Sequence, residues 1–472
     1  MAKLFQIFFL LLILIILSSC ASLQQASIAN STQIDNLLIK DIFNTAQAGI
    51  SIYDLTENKL LYRHNPELLF RPASNQKILT TAAAYLFLGE DYNFSTSVYH
   101  SGEIKDSILH GNIFFKGNFD PAFTIKNLDS LVKQIKNFGV KEVVGNLYAD
   151  ISAMDSLYWG KGWMWDDDIP YISPLTINGN TIKIIARPGE IGTPANIKMI
   201  PQTGYCKVKN FSLTVQSGAE TLFAARELNN GNVFDLKGNL PVSSEPDTLS
   251  LVIINANQYF LNLTKESFIR NGISFHGNID TLSLPIESKK IFSIEHNIMP
   301  VIVQTNKVSD NLYAELILRA LASKYFGRHA TAQNGIAMID SLISLAGLKA
   351  KDYRLVDGSG LSFYNLVSPQ LILNVLKYVY YQQPKIFQRL YDSFPISGID
   401  GTLSNRMKNT NVARKVHAKT GGLSGVSTLS GYIQSKNNHI IAFSIMIQNY
   451  VGSAERARQI QDSLCEIIYN QN

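Results

Sequence analysis

The stretch Phe70-Arg71-Pro72-Ala73-Ser74-Asn75-Gln76-Lys77 runs into an apolar segment that continues to Phe87 and stops at Gly89. This apolar continuation predicts a helix that begins near Ser74 and is buried on most sides. Ser74 and Lys77 are three residues apart, so on a helix their side chains share one face. A buried lysine loses its proton readily, and its neutral amine can then activate a serine hydroxyl. The stretch therefore predicts a nucleophilic serine at the start of a buried helix.

Two further motifs follow along the chain, Ser309-Asp310-Asn311 and Lys419-Thr420-Gly421. Each of the three motifs is weak alone. Ser130-Leu131-Val132-Lys133 repeats the spacing of the first motif, and Ser-Asp before Leu312 also suits a helix N-cap. The ordered set of three is what indicates nucleophilic acyl transfer.

The second and third motifs predict separate roles. We expect Ser309 to carry a proton between the lysine of the first motif and a leaving amine. Asn311 is expected to hydrogen-bond the substrate. Lys419, on a strand, would attract a substrate carboxylate and stabilise the surroundings of a developing oxyanion. Gly421 and Gly422 would let a substrate backbone approach this strand closely.

The chain is long enough for two or three domains, since it has 472 residues. More than 230 residues separate Ser74 from Ser309, and this interval is rich in strand and turn patterns. We therefore predict a catalytic domain in two pieces, 20–88 and 290–472, interrupted by an inserted module at 89–289. The alternatives for this module are a single subdomain or two nested subdomains. Helical periodicity near 312–325, 331–346 and 370–381 precedes strand patterns at 416–420, 428–433 and 439–447 and a closing helix at 453–469. The fold class is α+β, with helices packed on an antiparallel sheet.

Composition excludes several classes of function. Charged residues make up 17% of the chain, its formal net charge is +5, and no Lys/Arg-rich run appears, so we expect no nucleic-acid partner. The histidines are scattered, and Asp166-Asp167-Asp168 lacks EF-hand spacing, so neither a metal nor another cofactor is expected. Cys206 and Cys465 are expected to be unpaired and buried.

The N-terminus has the pattern of a processing signal. Lys3 is followed by an apolar run of about 14 residues, too short to span a membrane convincingly. Leu17-Ser18-Ser19-Cys20 then resembles a bacterial lipobox, which predicts removal of residues 1–19 and lipidation of Cys20. The alternative is a plain cleaved signal peptide with a chance cysteine. Lipidation would place the protein on a membrane surface in the cell envelope.

The three motifs together resemble the class C low-molecular-mass penicillin-binding proteins, which are D-alanyl-D-alanine carboxypeptidases/endopeptidases. Further segments carry the same resemblance along nearly all of the chain after the leader. They are Gly117-Asn118-Phe119-Asp120-Pro121, Gly162-Trp163-Met164-Trp165-Asp166, Asp357-Gly358-Ser359-Gly360-Leu361-Ser362 and Gly398-Ile399-Asp400-Gly401-Thr402-Leu403. The resemblance implies a serine β-lactamase/DD-peptidase-like domain that is acylated at Ser74 by peptidoglycan peptides and by β-lactams.

The resemblance also implies substrate contacts and shows two departures. Asp150 matches the acidic residue that would meet the amine of the stem peptide's third residue. Phe363 stands where relatives often carry an arginine for the carboxylate of that residue. Gly422 replaces a usual threonine or serine after Thr420 and Gly421, so one hydroxyl for the terminal carboxylate is missing.

Two rival functions remain open at the level of the sequence. A serine β-lactamase would share the acylation step but needs a device to activate water, and no further carboxylate motif indicates one. A catalytically inactive wall-binding lipoprotein would have no need of the two motif lysines.

Overall fold

The structure is a computed structural model that describes residues 32–164, 167, 169–227 and 231–470. The expected leader, the lipidation candidate Cys20, and residues Trp165, Asp166 and Asp168 lie outside the described residues. The chain forms two compact units. The first comprises the described residues of Met1–Leu86, Ile302–Asp310 and Met338–Asn472, and the second comprises those of Phe87–Val301 and Asn311–Ala337.

The α-helices of the described residues, numbered in chain order after a first helical segment at 32–38, are α1 Gln76–Phe87, α2 Ile125–Asn137, α3 Ala256–Asn271, α4 Ile298–Lys307, α5 Asn311–Phe326, α6 Ala332–Leu345, α7 Pro369–Gln382, α8 Pro384–Ser393 and α9 Glu455–Asn470. The strands are β1 Gln47–Asp54, β2 Lys59–His64, β3 Asn93–His100, β4 Glu103–Lys105, β5 Ile108–His110, β6 Ile113–Asn118, β7 Glu142–Val144, β8 Leu147–Asp150, β9 Thr181–Arg187, β10 Asn196–Ile200, β11 Lys207–Asn210, β12 Leu213–Val215, β13 Phe223–Arg226, β14 Val233–Lys237, β15 Asn239–Pro241, β16 Asp247–Val252, β17 Ser274–Phe275, β18 Ile279–Thr281, β19 Lys289–Asn297, β20 Val416–Leu423, β21 Val426–Gln434 and β22 Ile440–Gln448.

The first unit is built on an antiparallel sheet of order β2-β1-β22-β21-β20. Helix α9 packs on this sheet through Ile460, Leu464 and Ile468, which share a core with Ile50 and Ile445. Strands β21 and β22 are buried along nearly all of their length, because α9 covers one face of the sheet and α7 packs on the other. The predicted α+β class is confirmed.

The second unit is rich in short strands. A five-stranded sheet of order β18-β8-β6-β3-β19 and a four-stranded sheet of order β17-β7-β5-β4 share α2 and α3 as helical cover. Smaller sheets follow in the orders β10-β9-β16, β11-β14-β13 and β12-β15. The core of the unit is built largely of Phe, Leu, Ile and Val, with Phe260 and Phe115 in edge-to-face contact.

Three Gly-Asn pairs form a ladder where short parallel strands succeed one another. They are Gly111-Asn112, Gly145-Asn146 and Gly277-Asn278. The Asn146 backbone N–H donates to Asn112 Oδ1 at 2.8 Å, and the Asn278 N–H donates to Asn146 Oδ1 at 3.0 Å. A Cβ at Gly145 would lie 2.0 Å from the Gly111 carbonyl oxygen, so only glycine permits this approach.

The ladder divides segments whose apolar sequence pattern is continuous. The patterns at 109–116 and 143–149 suggest one strand each, but each segment is two strands separated by a Gly-Asn pair. The strand pattern at 249–255 likewise ends early, at Val252, because Asn255 caps α3 with a positive φ of 57°. Turn geometry therefore overrides a continuous apolar pattern at these places.

Candidate active site

Ser74 lies in a short 3₁₀ turn, Ala73–Asn75, directly before α1. Ala73 has a φ of 45°, which is unfavourable for a residue with a side chain. The turn is held to strand β21 from both sides. The Thr428 hydroxyl donates to the Pro72 carbonyl at 2.9 Å, and Asn75 Nδ2 donates to Ser430 Oγ at 2.6 Å. These bonds offset the backbone strain and keep the serine in one position.

Lys77 lies on the first turn of α1 and is fully buried. Its Nζ is 2.9 Å from Ser74 Oγ and donates to the Ser359 carbonyl oxygen at 2.8 Å. Burial of a primary amine disfavours its charged form. The predicted pairing of Ser74 and Lys77 is thus present as a hydrogen-bonded contact.

Lys419 lies on β20, an edge strand of the sheet, and is also fully buried. Its Nζ donates to the Thr420 carbonyl at 2.9 Å. Burial, and in second place the positive charge of Lys77, hold the pKa of Lys419 well below its usual value. Lys77 and Lys419 therefore interact electrostatically. Their amines are buried, unlike those of the exposed lysines on the surface.

The glycines after Lys419 bring this strand against the serine turn. A Cβ on Gly421 would lie 2.9 Å from the Ser74 backbone nitrogen and 2.2 Å from the Thr428 hydroxyl. Gly422 is exposed, and a Cβ built there would meet nothing within 4 Å. The strand edge beside Ser74 is consequently open at the place where a substrate backbone was expected.

The segment Asp357–Ser362 forms the wall of the Lys77 site. The Asp357 carboxylate accepts backbone N–H bonds from Gly360 at 2.9 Å and Ser362 at 2.7 Å. These bonds fold the segment into a compact turn that presents the Ser359 carbonyl to Lys77. A Cβ on Gly360 would lie 1.8 Å from the Ala73 carbonyl oxygen, so this glycine permits the turn to contact the serine turn.

The segment 398–403 connects the second and third motifs. Lys307, which lies two residues before Ser309, forms an ion pair with Asp400, and its Nζ is 2.6 Å from Asp400 Oδ2. Thr402 Oγ1 accepts a hydrogen bond from the Thr420 hydroxyl at 2.7 Å. Ser309 itself has a φ of 64°, so the backbone turns sharply after α4. The glycine-rich segment thus holds the chain near Ser309 and the third motif in place.

Asn311 and Asp150 belong to the second unit, whereas Ser74, Lys77, Ser309 and Lys419 belong to the first. Asn311 is the first residue of α5. Asp150 ends β8, is 2% exposed, and accepts the Ser152 N–H at 2.9 Å through Oδ1.

Phe363 lies beneath a guanidinium. Arg71 Cζ is 5.4 Å from the centroid of the Phe363 ring, and Arg71 Nε donates to the Phe363 carbonyl at 3.4 Å. Arg71 is only three residues before Ser74. A cation therefore lies over the position where the sequence departs from its relatives. The motifs do not predict this contact, because Arg71 and Phe363 are far apart in the chain.

Ser130 and His417 have structural partners, whereas the two cysteines are free thiols. Ser130 is exposed on α2 and its hydroxyl donates to the Lys126 carbonyl at 2.9 Å, so the second S-x-x-K pattern is a helix surface. His417 stacks on Tyr391 with ring centroids 3.9 Å apart, and burial lowers its pKa. Cys206 and Cys465 are buried and unpaired, and burial raises the pKa of the Cys206 thiol to about 11.

Two kinds of feature are absent from the described residues. No group of three or more His, Cys, Asp or Glu side chains among them is arranged to hold a metal ion. Within the same part of the chain, no helix has the length and apolar character needed to cross a bilayer.

Several contributors to the site were not found from sequence. The Ser359 carbonyl carries no side-chain signature, and Thr402, Thr428 and Ser430 act through contacts between distant segments. The glycine-rich segments were the available signal, because close backbone approach is what such segments permit.

Comparison with known proteins places this geometry in context. Residues 30–471 match the model of the D-Ala-D-Ala carboxypeptidase 3 (S13) family. The D-alanyl-D-alanine carboxypeptidase of Actinomadura sp. is 29% identical over 485 residues, covering 96% of this chain and 88% of the relative. The crystal structure of penicillin binding protein 4 from Haemophilus influenzae superposes with a TM-score of 0.80 at 27% identity, covering 92% of this chain and 99% of that one. The structure of that protein complexed with a β-lactam gives a TM-score of 0.77 at 26% identity, with coverages of 93% and 99%.

Proposed function

Since the chain belongs to the D-Ala-D-Ala carboxypeptidase 3 (S13) family, we propose that Ser74 is the nucleophile of a serine-type D-alanyl-D-alanine carboxypeptidase/endopeptidase. Its substrates are peptidoglycan stem peptides. The observation that carries the proposal is the fully buried Lys77 amine, 2.9 Å from Ser74 Oγ. If Ser74 were only a helix cap followed by a surface lysine, the Lys77 amine would be exposed to solvent.

The acylation step follows from this geometry. The neutral Lys77 amine takes the hydroxyl proton as Ser74 Oγ attacks the carbonyl of the penultimate D-alanine. The Ser74 and Gly422 backbone N–H groups would stabilise the oxyanion. As the C–N bond breaks, Ser309 passes a proton from Lys77 to the leaving amine, while Asn311 hydrogen-bonds the substrate amide.

Hydrolysis completes the cycle. Water attacks the Ser74 ester, releases the shortened peptide and returns the proton to the serine hydroxyl. A β-lactam enters by the same attack, but its leaving amine remains tethered to the acyl group. The proposal therefore includes covalent inhibition by β-lactams. The Lys419 side chain and the Thr420 hydroxyl would hold the terminal carboxylate of either ligand.

The experiment measures D-alanine release from a soluble pentapeptide ending in D-Ala-D-Ala and the appearance of monomers from a cross-linked muropeptide dimer. We expect the wild-type protein to hydrolyse at least one of them and Ser74→Ala to hydrolyse neither. Ser130→Ala is the matched control, because it removes the serine of the other S-x-x-K pattern. Loss of activity in Ser130→Ala with activity kept in Ser74→Ala would overturn the assignment.

We also propose that selection of the stem peptide's third residue departs from that of relatives. Asp150 would meet its amine, while Phe363 offers no guanidinium to its carboxylate. A lost charge-assisted hydrogen bond typically costs about 1.5–3 kcal/mol. The enzyme is therefore expected to discriminate poorly for a free third-residue carboxylate and to act well on amidated or cross-linked peptides.

This specificity is tested by kcat/KM on matched peptides with a free or an amidated third-residue carboxylate. Wild type should show a ratio near one, and Phe363→Arg should shift it towards the free acid by about tenfold, or 1.4 kcal/mol. Arg71→Ala is the companion variant, because Arg71 lies over Phe363. A wild-type preference for the free acid that disappears in Arg71→Ala would assign the carboxylate to Arg71 instead.

The family acts on the cell wall, and we propose an envelope location with a lipid on Cys20 holding the protein to a membrane. The lipobox-like pattern Leu17-Ser18-Ser19-Cys20 supports this proposal, because lipidation of the cysteine would anchor the chain at a membrane surface. Cys20→Ser should abolish incorporation of labelled palmitate and move the protein to the soluble fraction. Retention of the variant in the membrane fraction would contradict the lipid anchor.

A further inference from the structure

The sheet made by β3, β6 and β19 has a polar face that the catalytic motifs do not use. Along β3, Phe94 and Val98 are buried on one face, while Ser95, Ser97 and Tyr99 alternate onto the other. A pocket of about 330 Å³ lies on this polar face. Its lining includes Ser97, Tyr99, Lys116, Ser152, Lys290 and Arg328. All of these residues belong to the second unit.

The charge of this pocket is one-sided. Lys116, Lys290 and Arg328 line it together, and no Asp or Glu is among the described residues that line it. Within the described part of the chain, none of these three cations lies in an ion pair. Three unneutralised cations around one concavity attract an anion and focus its field.

The nearest acids in the strand register leave the pocket positive. Asp150 is the cross-strand neighbour of Lys116, but it is only 2% exposed and binds the Ser152 N–H. Glu295 is the neighbour of Ser95 and is exposed to solvent. Neither carboxylate is among the groups that line the pocket.

The pocket is built from segments that are hydrogen-bonded to each other. The His329 N–H donates to the Ser152 carbonyl at 3.2 Å, and the Ala330 N–H donates to the Ala153 carbonyl at 2.9 Å. These bonds hold the loop that carries Arg328 against the loop after Asp150. On the floor, the hydroxyls of Ser97 and Ser293 are 2.8 Å apart. Hydroxyls beside fixed cations are a suitable lining for an oxyanion.

We propose that this pocket is an accessory subsite for a carboxylate of polymeric peptidoglycan, one that lies outside the hydrolysed stem peptide. The proposal rests on the proposed function, because that function makes a polymer rich in carboxylates the substrate. Position supports it as well: Lys116 shares a sheet face with Asp150, the residue assigned to the stem peptide's amine. A carboxylate held here would retain the polymer without taking part in the chemistry at Ser74.

The test compares the triple variant Lys116→Ala/Lys290→Ala/Arg328→Ala with a control that removes the same charge. The control is Lys126→Ala/Lys133→Ala/Lys141→Ala, three exposed lysines of the second unit that do not line the pocket. The first readout is cosedimentation of each full-length protein with purified peptidoglycan in low and high salt. The second is kcat/KM on polymeric peptidoglycan and on a soluble pentapeptide.

We expect the pocket variant to lose about tenfold in affinity for the polymer at low salt, with less loss at high salt. The control should lose less than about twofold, because dispersed surface charges contribute little. Rates of penicillin acylation and of pentapeptide hydrolysis should match wild type in both variants. Chemical amidation of the peptidoglycan carboxylates should remove the difference between wild type and the pocket variant.

Equal binding by the pocket variant and the control would overturn the proposal. A difference that survives amidation but disappears after phosphate groups are stripped from the polymer would overturn the carboxylate assignment in favour of a phosphate. Failure of the proposed function is a separate outcome. It would show as wild-type protein that neither reacts with penicillin nor releases D-alanine, and cosedimentation would still test the pocket.

Discussion

Lys77 shows how one buried side chain can decide the chemistry of a motif. Its amine is fully buried, 2.9 Å from Ser74 Oγ and 2.8 Å from the Ser359 carbonyl. Removing an ammonium from water is costly, whereas a neutral amine can be buried with two hydrogen-bonding neighbours. The same amine in the uncharged form is the base that Ser74 requires.

Lys77→Arg keeps a positive charge but cannot serve as a base, because guanidinium does not release its proton in proteins. We expect this variant to lose about 10³-fold or more in the rate of penicillin acylation, at the scale of a lost general base. The measurement is stopped-flow acylation with a fluorescent penicillin, with a thermal melt to confirm that the variant is folded. A folded and active Lys77→Arg protein would show that Lys77 acts only through its charge.

Lys419 gives a prediction for stability against pH. Its pKa lies well below the usual lysine value because of burial and the charge of Lys77. Between the folded and unfolded pKa values the unfolded chain binds more protons, so stability rises with pH and the penalty vanishes near the unfolded value. Lys419→Met should therefore be more stable than wild type at pH 7. Its advantage should shrink by up to about 1.4 kcal/mol per pH unit towards pH 10.

Urea unfolding at a series of pH values measures this advantage. Lys436→Met is the control, because Lys436 is exposed in the turn between β21 and β22. A constant difference between Lys419→Met and wild type across the pH range would contradict a depressed pKa at Lys419.

At the scale of elements, the Gly-Asn ladder holds short strands in register that could not persist alone. Strand β17 has two residues and β7 has three, so their backbone pairing is limited. The amide side chains of Asn112 and Asn146 supply further acceptors for the backbone of the next rung. Short parallel strands are thus held together by side-chain bonds as well as by the sheet.

Asn146→Ala should destabilise the second unit, because it leaves the Asn278 N–H without its acceptor at 3.0 Å. The expected loss is about 0.5–1.5 kcal/mol in the free energy of unfolding, because the exposed Asn278 N–H can bind water instead. Guanidinium unfolding followed by circular dichroism measures it, and Asn137→Ala, at the exposed end of α2, is the control. Equal midpoints for the two variants would show that the ladder does not contribute to stability.

Elements with a long, regular apolar pattern were predictable, whereas the ladder was not. Helix α1 and strands β21 and β22 are each buried along most of their length, and periodicity alone locates them. The breaks at Gly111-Asn112 and Gly145-Asn146 lie between segments that are both apolar, so the hydrophobic pattern does not show where one strand ends and the next begins. Their cause is the close approach of neighbouring rungs, which depends on residues far along the chain.

At the scale of the whole molecule, each unit is assembled from separated pieces of chain. Strand β1 pairs with β22 across almost the full sequence. The motif order indicated such an interruption. The compact units group 290–301 and 311–337 with the second unit, and the domain bounds 20–88, 89–289 and 290–472 stay a prediction. Helical periodicity reports that a face is buried, but it does not report which core buries it.

The candidate site was predictable to the extent that motifs name side chains. Ser74, Lys77 and Lys419 come together as the spacing and order indicated. The Ser359 carbonyl and the Arg71 guanidinium over Phe363 were not predictable, because one is a backbone group and the other depends on tertiary contact.

The central claim is that Ser74 forms a slowly hydrolysed acyl-enzyme with β-lactams. The measurement is mass spectrometry of the intact protein after a penicillin pulse, with a time course after removal of free drug and peptide mapping of the adduct. We expect one adduct per chain, located on Ser74, absent in Ser74→Ala and persistent over many minutes. An adduct on Ser130, rapid loss of the adduct as in a β-lactamase, or no adduct at all would contradict it.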